Sequence, residues 1–297
     1  MCTGSPARWD TPGNTSRGRP GTLSFVDLHL HSTASDGTVS PGAVIRHAAS
    51  VGLVGVSLSD HDTFDGLDEA AAEARTQGLR FLPGVEISAN EPNRSVHILA
   101  FGMDRRAADL RALLDAMTSD RVRRAREMTR RLQALGVLLE YEAVQKECGR
   151  AAPTRAHVGR ALLAEGLVPD LESAFRRYLR RGGAAFVEKM PTRPATVFER
   201  VHDAGGVAIL AHPGHAHGER EILRWRSEGL DGVEVLHPEN RDDVRARLSA
   251  LARRLGLLQS GGSDWHGPSP GRPGMGSQPV PPAWMDAICE RVADPGF

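Results

Sequence analysis

The sequence predicts an α/β protein, and three observations support this fold class. Short apolar runs alternate with helix-like stretches, one long block of helical pattern interrupts them, and histidines and carboxylates follow the apolar runs. The alternation covers residues 23–103 and resumes after residue 190. This βαβα order favours a mainly parallel sheet or barrel.

Seven strands are predicted, each a short apolar run bounded by turn-forming residues. They cover residues 23–29, 53–59, 80–87, 96–101, 206–211, 231–236 and 257–263. The intervening helices carry start and stop signals. The first has Ser40 as its cap and Pro41 at its first position, and it ends before Gly52. A last short helix is expected from Trp284 to Val292.

Residues 104–190 do not follow this rhythm. Residues 106–135 have the pattern of one or two polar, Arg-rich helices, and helical patterns continue to about residue 182. We therefore expect a helical insertion over 104–190 that contributes to the substrate site, within a domain formed by 23–103 and 191–297. Residues 1–22 are rich in Gly, Pro, Ser, Thr and Arg, which predicts a disordered N-terminal tail.

Composition narrows the function classes. The formal net charge of zero gives no sign of a protein that binds long nucleic acid or a membrane surface. Three scattered cysteines without a CxxC pair argue against a disulfide framework and favour a cytoplasmic protein. No apolar run reaches the ~18 residues that a membrane span requires. The positive charge is almost entirely arginine, the side chain best suited to bind anions. The sequence gives no sign of a stable protein partner.

Histidines and carboxylates stand at or just after nearly every predicted strand end. They are His29, His31, Asp36, Asp60, His61, Glu86, His97, His212, His237, Asp264 and His266. In a parallel barrel these ends form one face. A His-x-His pair on a strand projects both imidazoles to one side. Nitrogen and oxygen ligands without thiolates suit Mn, Zn or Fe(II), and so many ligands indicate two or three metal ions.

Other polar residues have weaker patterns. His47 and His202 lie in predicted helices and are expected to be structural. His215 and His217 lie in a predicted loop, where a contact with metal or substrate stays open. Asp27 shares a strand face with the first two histidines. Support of the metal ligands from beneath and a purely structural hydrogen bond are both open for it.

Six segments in order resemble the motifs of one known family. "DLHLHSTASDGT", "SLSDHDT", "PGVEIS", "VHILAFG", "LAHPG" and "GGSDWHG" are similar to those of the PHP (polymerase and histidinol phosphatase) metal-dependent phosphoesterases. The resemblance covers about 24–103 and 190–267, and it implies a distorted (β/α)7 barrel with up to three metals. "PTRAHVGRALLAEGLV" and "AFRRYLRRGGAAFV" resemble the insertion of the branch that contains nucleoside 3′,5′-bisphosphate phosphatases and a 5′-to-3′ exoribonuclease.

The resemblance also implies a set of metal ligands. The first metal would be held by His29, His31, Glu86 and Asp264, the second by Glu86, His97 and His212, and the third by Asp36, His61 and His266. Mn²⁺ is the expected ion, with Zn²⁺ or Fe²⁺ as alternatives. Asp60 and Asp62 flank one of the ligands and are expected to orient it.

Catalytic and substrate-binding residues follow from the same resemblance. Asp264, His61 and His237 are expected to be catalytic. His237, Arg155 and His157 are expected to contact phosphate, the arginine because guanidinium binds phosphate in a bidentate manner.

These residues predict metal-assisted hydrolysis of a nucleotide phosphomonoester. The favoured substrate is the 3′-phosphate of nucleoside 3′,5′-bisphosphates, with trimming of short 5′-phosphorylated RNA as a second activity. Histidinol phosphate or another small phosphomonoester is the alternative substrate. A metal-binding module without catalysis is the alternative of a different class.

Overall fold

The computed structural model describes residues 24–292, apart from residues 93, 215 and 270. It shows a mixed α/β fold, as predicted. The strands are β1 (Val26–Leu30), β2 (Gly55–Leu58), β3 (Arg80–Phe81), β4 (Gly84–Glu91), β5 (Arg94–Phe101), β6 (Val207–Leu210), β7 (Gly232–Leu236) and β8 (Leu258–Gly261). The predicted tail, residues 1–22, lies outside the described residues.

Helices connect and cover these strands. They are α1 (Pro41–Ser50), α2 (Leu67–Gln77), α3 (Ala108–Ala134), α4 (Tyr141–Cys148), α5 (Arg155–Ala164), α6 (Leu171–Ala174), α7 (Pro194–Asp203), α8 (Glu219–Glu228), α9 (Asp242–Leu255) and α10 (Pro282–Cys289). α6 continues as a π-helical turn over Phe175–Leu179. α1 starts as predicted: Ser40 is its cap and Pro41 its first residue.

The strands of the described chain form two sheets. β1, β2 and β3 form a parallel sheet, and β4 to β8 form a second sheet in chain order. Isolated bridges link the sheets: Leu30 pairs with Trp265, and His61 pairs with Glu86. These bridges hold the carboxyl ends of β1 and β2 against the second sheet.

The prediction of one strand over 80–87 is wrong, and four of the six pairings between the described strands are parallel, as predicted. The chain breaks at Pro83, which has no N–H to continue a ladder, and β4 then forms a hairpin with β5. β5 is antiparallel to both β4 and β6. Glu86 and His97 therefore lie inside strands rather than after them. The amino-terminal part of β5 reaches the edge where β6 ends, and Ala211 donates its N–H to the His97 carbonyl.

The segment from α3 to the π-helical turn consists of helices and the loops between them, without a strand among its described residues. α3 is one helix of 27 residues, where the sequence left one or two open. This helical block has its own apolar core, which includes Met128, Leu132, Val158 and Leu179. A separate core packs β4–β7 against α7, α8, α9 and the first turns of α3. Among the described helices, none combines the length and the apolar character that a bilayer crossing needs.

Candidate metal centre

Glu86 of β4 lies at the centre of the predicted ligand set and is almost completely buried. Its Oε1 is 2.8 Å from His97 Nδ1 and 2.8 Å from His212 Nε2. Its Oε2 approaches three further imidazoles: His61 Nδ1 at 3.0 Å, His31 Nε2 at 3.3 Å and His29 Nε2 at 3.4 Å. One carboxylate thus contacts imidazoles from β1, β5 and the segments that follow β1, β2 and β6.

Asp264, just after β8, approaches the same pair of histidines. Its Oδ1 is 3.1 Å from His31 Nε2 and 3.3 Å from His29 Nε2. Its backbone has a φ of 51°, in the left-handed region that non-glycine residues avoid. Among the described non-glycine residues, Asp62 and His212 share this feature, and both also follow strands at the site. Strain of ~1–3 kcal/mol per residue persists where the surroundings hold it, commonly at functional sites.

A third group forms around Asp36. Its Oδ1 is 3.3 Å from His266 Nε2, and its Oδ2 is 3.9 Å from His61 Nε2. The His266 Nδ1 hydrogen-bonds the Asp264 carbonyl at 2.8 Å, which leaves Nε2 directed at Asp36. Gly37 is required here for close approach rather than for a left-handed turn. A Cβ on it would lie 2.8 Å from the His31 carbonyl carbon and oxygen.

The nine predicted ligands therefore come together in overlapping groups. Within each group, one nitrogen or oxygen atom per residue lies within 4.8 Å of the others. The groups include His29–His31–Glu86–Asp264, His31–Asp36–His61–His266 and His61–Glu86–His97. His212 joins them through its contact with Glu86.

The electrostatics of the cluster favour added positive charge. Burial opposes ionisation of Glu86, but His61, His97 and His29 hold the pKa of its carboxyl well below the usual range. Against burial, Asp264 and Glu86 raise the pKa of His31 to about 10. Burial lowers the pKa of His97 to about 3, although Glu86 opposes this. The carboxylates thus stay charged, and protons and metal cations compete for the same nitrogens.

These residues fit a cluster of divalent cations. Four of them leave a buried polar atom without a hydrogen-bond partner in the described structure: His29 Nε2, His31 Nε2, His61 Nδ1 and Asp36 Oδ1. Such atoms are rare, and each costs ~1–3 kcal/mol when nothing satisfies it. The donor set contains imidazole nitrogen and carboxylate oxygen but no thiolate, which suits Mn, Zn or Fe(II).

Glu234 of β7 belongs to the site but escaped the sequence analysis. It is fully buried; its Oε1 is 3.0 Å from His29 Nδ1, and its Oε2 accepts the His212 N–H at 2.6 Å. It therefore fixes the ring of one predicted ligand and the backbone of another. One feature of the sequence could have indicated it: Glu234 is the single charged residue in the otherwise apolar strand "GVEVL".

His237, after β7, lies beside the cluster in a defined tautomer. Its Nδ1 accepts the Glu239 N–H at 3.1 Å, so a neutral ring carries its proton on Nε2. That Nε2 is 3.5 Å from Asp264 Oδ2 and has no hydrogen-bond partner in the described chain. The ring can therefore donate a hydrogen bond into the site.

The two aspartates that flank His61 hydrogen-bond neighbouring loops and strands and so hold the segment around His61 in place. Asp60 accepts from the Ser32 N–H at 2.7 Å and the Ser35 hydroxyl at 2.5 Å, and so it fixes the loop after β1. Asp62 accepts from the Ser88 N–H at 2.7 Å and pairs with a buried arginine of α3.

Asp27 makes hydrogen bonds to backbone. Its Oδ1 accepts from the Ser263 N–H at 2.9 Å, and its Oδ2 from the Gly276 N–H at 3.0 Å. Its Oδ1 also lies 3.4 Å from the N–H of His29, so these contacts support the backbone of a predicted ligand from beneath. The Ser263 contact fixes the residue before Asp264.

Cations from the helical block and from the segment that follows it face the cluster across a small cavity of about 130 Å³. The cavity joins Asp36, His61 and His97 to Arg121, Arg124, Arg155 and Lys189. Only Arg155 was singled out from the sequence; α3 has so many arginines that no pattern separates the two that matter. Burial and the neighbouring Arg121 lower the pKa of Lys189 to about 7.

His157 lies close to the cluster without lining this cavity. It is buried on α5, and its Nδ1 accepts the Thr154 N–H at 2.9 Å as part of the helix cap. It lines a second cleft beside Ser35 and Gly37. A contact between His157 and phosphate stays a prediction.

The remaining histidines lie away from the ligands. His47 is exposed on α1, and His202 pairs with Asp231 at 2.7 Å; a structural role for both stays a prediction. His217 packs against Trp225, with ring centres 5.1 Å apart. His215 lies outside the described residues.

Comparisons with known proteins agree with this geometry. The sequence profile of the PHP domain matches residues 27–189. The chain is 36% identical over 247 residues to the 5′-3′ exoribonuclease of Haemophilus influenzae, covering 82% of this chain and 90% of that one. It is 35% identical over 267 residues to the 3′,5′-nucleoside bisphosphate phosphatase of Chromobacterium violaceum, covering 88% and 94%.

A solved structure has the same fold. It comes from Bifidobacterium adolescentis and is described as a metal-dependent phosphoesterase. It superposes with a TM-score of 0.86 at 30% identity and covers 92% of this chain and 98% of its own. The family predicted from the motifs is confirmed: the chain belongs to the PHP domain family, and it is a metal-dependent phosphoesterase.

Proposed function

We propose that the enzyme removes the 3′-phosphate of nucleoside 3′,5′-bisphosphates and also trims short 5′-phosphorylated RNA. One observation carries this proposal: a cavity of about 130 Å³ joins the imidazole and carboxylate cluster to four cations of the helical block and its end. A phosphoryl group there would meet Lewis acids on one side and guanidinium groups on the other. The names of the two relatives favour nucleotide substrates.

We propose three metal positions, which the family resemblance implies and the proximity of these side chains supports. His29, His31, Glu86 and Asp264 would hold the first ion, Glu86, His97 and His212 the second, and Asp36, His61 and His266 the third. Mn²⁺ is the proposed ion, with Zn²⁺ or Fe²⁺ as alternatives that the nitrogen and oxygen donors also suit. Such ions supply phosphoryl charge neutralisation and lower the pKa of water.

The protein's own groups position the substrate. Arg155 and Lys189 would bind phosphoryl oxygens, because charge-assisted contacts are the strong ones. Asp62 pairs with Arg121 at 2.6 Å and keeps its guanidinium at the cavity wall. His237 would donate the proton on Nε2 to an oxygen of the substrate. His61 and Asp264, the other predicted catalytic residues, would act as ligands.

We also propose a barrel architecture, its division into two parts, and a cellular location. The isolated bridges between the two sheets support a distorted (β/α)7 barrel, although the ladder is not continuous. The separate core of the helical block supports a division into a barrel of 23–103 and 191–297 and an insertion of 104–190. The cytoplasmic location and the absence of a stable protein partner stay predictions.

Histidinol phosphate is the competing substrate. The cations of the helical block argue against it, since one small phosphomonoester does not need so many anion-binding side chains. A screen of phosphate release with Mn²⁺ should compare adenosine 3′,5′-bisphosphate, histidinol phosphate and 5′-phosphorylated RNA oligomers. We expect the bisphosphate to be preferred. A preference for histidinol phosphate would overturn the substrate assignment and leave the metal site unaffected.

A further inference from the structure

A cationic cleft leads away from the metal cluster. Three cavities follow one another: an inner one of about 130 Å³, a middle one of about 270 Å³ and an outer one of about 620 Å³. The inner and middle cavities share Arg124, Arg155 and Lys189. The middle and outer cavities share Arg181 and Lys189 among their walls. The shared residues place the three cavities side by side, in a row that leads away from the cluster.

The sizes indicate what each part can hold. The inner cavity is well below the ~300–1,000 Å³ that is typical of small-molecule sites, so it has room for little more than the reacting phosphoryl group. The nucleoside must then occupy the middle cavity. The outer cavity is larger than the other two, and a mononucleotide bound in them would leave it empty.

Charge distinguishes this path from the other clefts in the described structure. The middle cavity has five cations against one carboxylate: Arg94, Arg124, Arg155, Arg181 and Lys189 against Glu188. The outer cavity has four cations against three carboxylates. The cleft beside His157 has two cations, Lys146 and Arg150, against three carboxylates. The crevice beside α3 has three arginines against five aspartates. A polyanion is favoured along the first path and disfavoured along the others.

The middle cavity also offers an aromatic surface. Phe186 lies half-buried in its wall. The guanidinium carbons of Arg181 and Arg155 lie 5.3 and 5.9 Å from the ring centre. An aromatic ring among cations is the combination on which single-stranded nucleic acids stack their bases while their phosphates meet the positive charge.

The outer cavity has a cation available for a phosphate. Arg193 is exposed immediately before α7 and has no side-chain partner among the described residues. Arg181 and Arg224, by contrast, are paired with Glu188 and Glu91. Arg193 can therefore bind an anion without breaking an existing ion pair, and it lies on the outer wall together with Lys189, which the inner cavities share.

We propose that this cleft binds single-stranded RNA that continues beyond the reacting nucleotide. Phe186 stacks on the base of the reacting nucleotide, and Arg193 contacts a backbone phosphate further along the chain. The inference rests on the proposed nucleotide function and adds a subsite that a mononucleotide does not reach.

The test compares two substrates and two variants. kcat/KM is measured with Mn²⁺ for adenosine 3′,5′-bisphosphate and for a 5′-phosphorylated RNA pentanucleotide. Arg193→Ala should lower kcat/KM for the pentanucleotide about threefold to tenfold and leave the bisphosphate within about twofold. The dependence of log kcat/KM for the pentanucleotide on log salt should become shallower by about 0.7, the value for one contact with a single strand. Phe186→Ala should lower both substrates about tenfold, and Phe186→Trp should retain activity.

Arg226→Ala is the matched control, because Arg226 is exposed on α8 and lines none of the three cavities. Fluorescence anisotropy of the labelled pentanucleotide with chelator-treated protein gives a readout independent of turnover, and Arg193→Ala should weaken this binding as well. Equal effects of Arg193→Ala on both substrates, or no effect on either, would contradict the proposal that the cleft binds RNA. If the wild type hydrolyses neither substrate, the proposed function itself is wrong.

Discussion

The two walls of the active site are built in different ways. One wall consists of imidazoles and carboxylates on or just after strands, and its central Glu86 is 1% exposed and in contact with five histidines. The other wall consists of arginines and a lysine from the helical block and its end; Arg121 and Arg124 are buried, whereas Arg155 and Lys189 are partly exposed. The strand wall has fixed geometry suited to metal chemistry, whereas the helical wall provides charge suited to substrate recognition.

The largest effect should come from the strand wall. Glu86→Gln removes the carboxylate that links the ligand groups, and we expect phosphatase activity to fall ~10³-fold, equivalent to several kcal/mol of lost charge stabilisation. Treatment with a chelator should have the same effect and be reversed by Mn²⁺. Metal content and phosphate release check both. Full activity of the chelated protein would contradict the metal assignment.

The contact between the two walls should control stability. Arg121→Met leaves buried Asp62 without its cation, and the free energy of unfolding should fall by about 3–5 kcal/mol. Denaturant unfolding of the single variants and of Asp62→Asn/Arg121→Met measures the coupling. The double variant should recover part of the loss, and a purely additive result would show that the pair does not link the walls.

A change confined to the helical wall should weaken substrate binding without affecting the metal ions. Arg155→Ala should lower kcat/KM for the bisphosphate about 10–100-fold, the effect of losing a charge-assisted contact, and leave metal content unchanged. Arg155→Lys is the control, because it keeps the charge without the bidentate fork. Loss of metal in Arg155→Ala would show that the two walls are not separable.

A change of Glu234, which contacts ligands of the strand wall from behind, should lower metal affinity by a similar or smaller factor. Glu234→Gln weakens the contact that orients His29, and we expect metal affinity to fall about 10–100-fold. Calorimetric titration of the metal-free protein measures this. Glu234→Asp, with its charge retained, should be less affected. An unchanged affinity would assign Glu234 to packing only.

A surface ion pair gives the smallest effect. A hydrogen bond with Asp231 raises the pKa of His202 above 6.5. The pair should stabilise the fold below pH 6.5, and its contribution should disappear as pH rises through the raised pKa. His202→Asn should cost at most about 1 kcal/mol at pH 6 and leave activity unchanged. Unfolding curves at pH 6 and pH 9 compare wild type and variant, and a larger loss at pH 9 would contradict this sign.

The fold was predictable as far as local pattern reaches. Apolar runs and caps such as Ser40–Pro41 located the elements, because periodicity and capping are local properties. The hairpin of β4 and β5 was not predicted, since both strands read as buried runs and strand direction leaves no local pattern. Glu234 was missed for a related reason: one carboxylate in an apolar strand acquires its role only from His29, 205 residues away in the chain.

The sequence by itself determined the α/β class and the family, and it predicted which residues would serve as metal ligands. The predicted ligands are His, Asp and Glu residues on or just after strands, and such residue types are visible in short motifs. Only the tertiary structure decided which arginines matter. Guanidinium groups act wherever a helix places them, and α3 presents many alike. Packing of the helical block against the loops after β1 and β2 selects Arg121 and Arg124 for the cavity and leaves others, such as Arg130, in solvent.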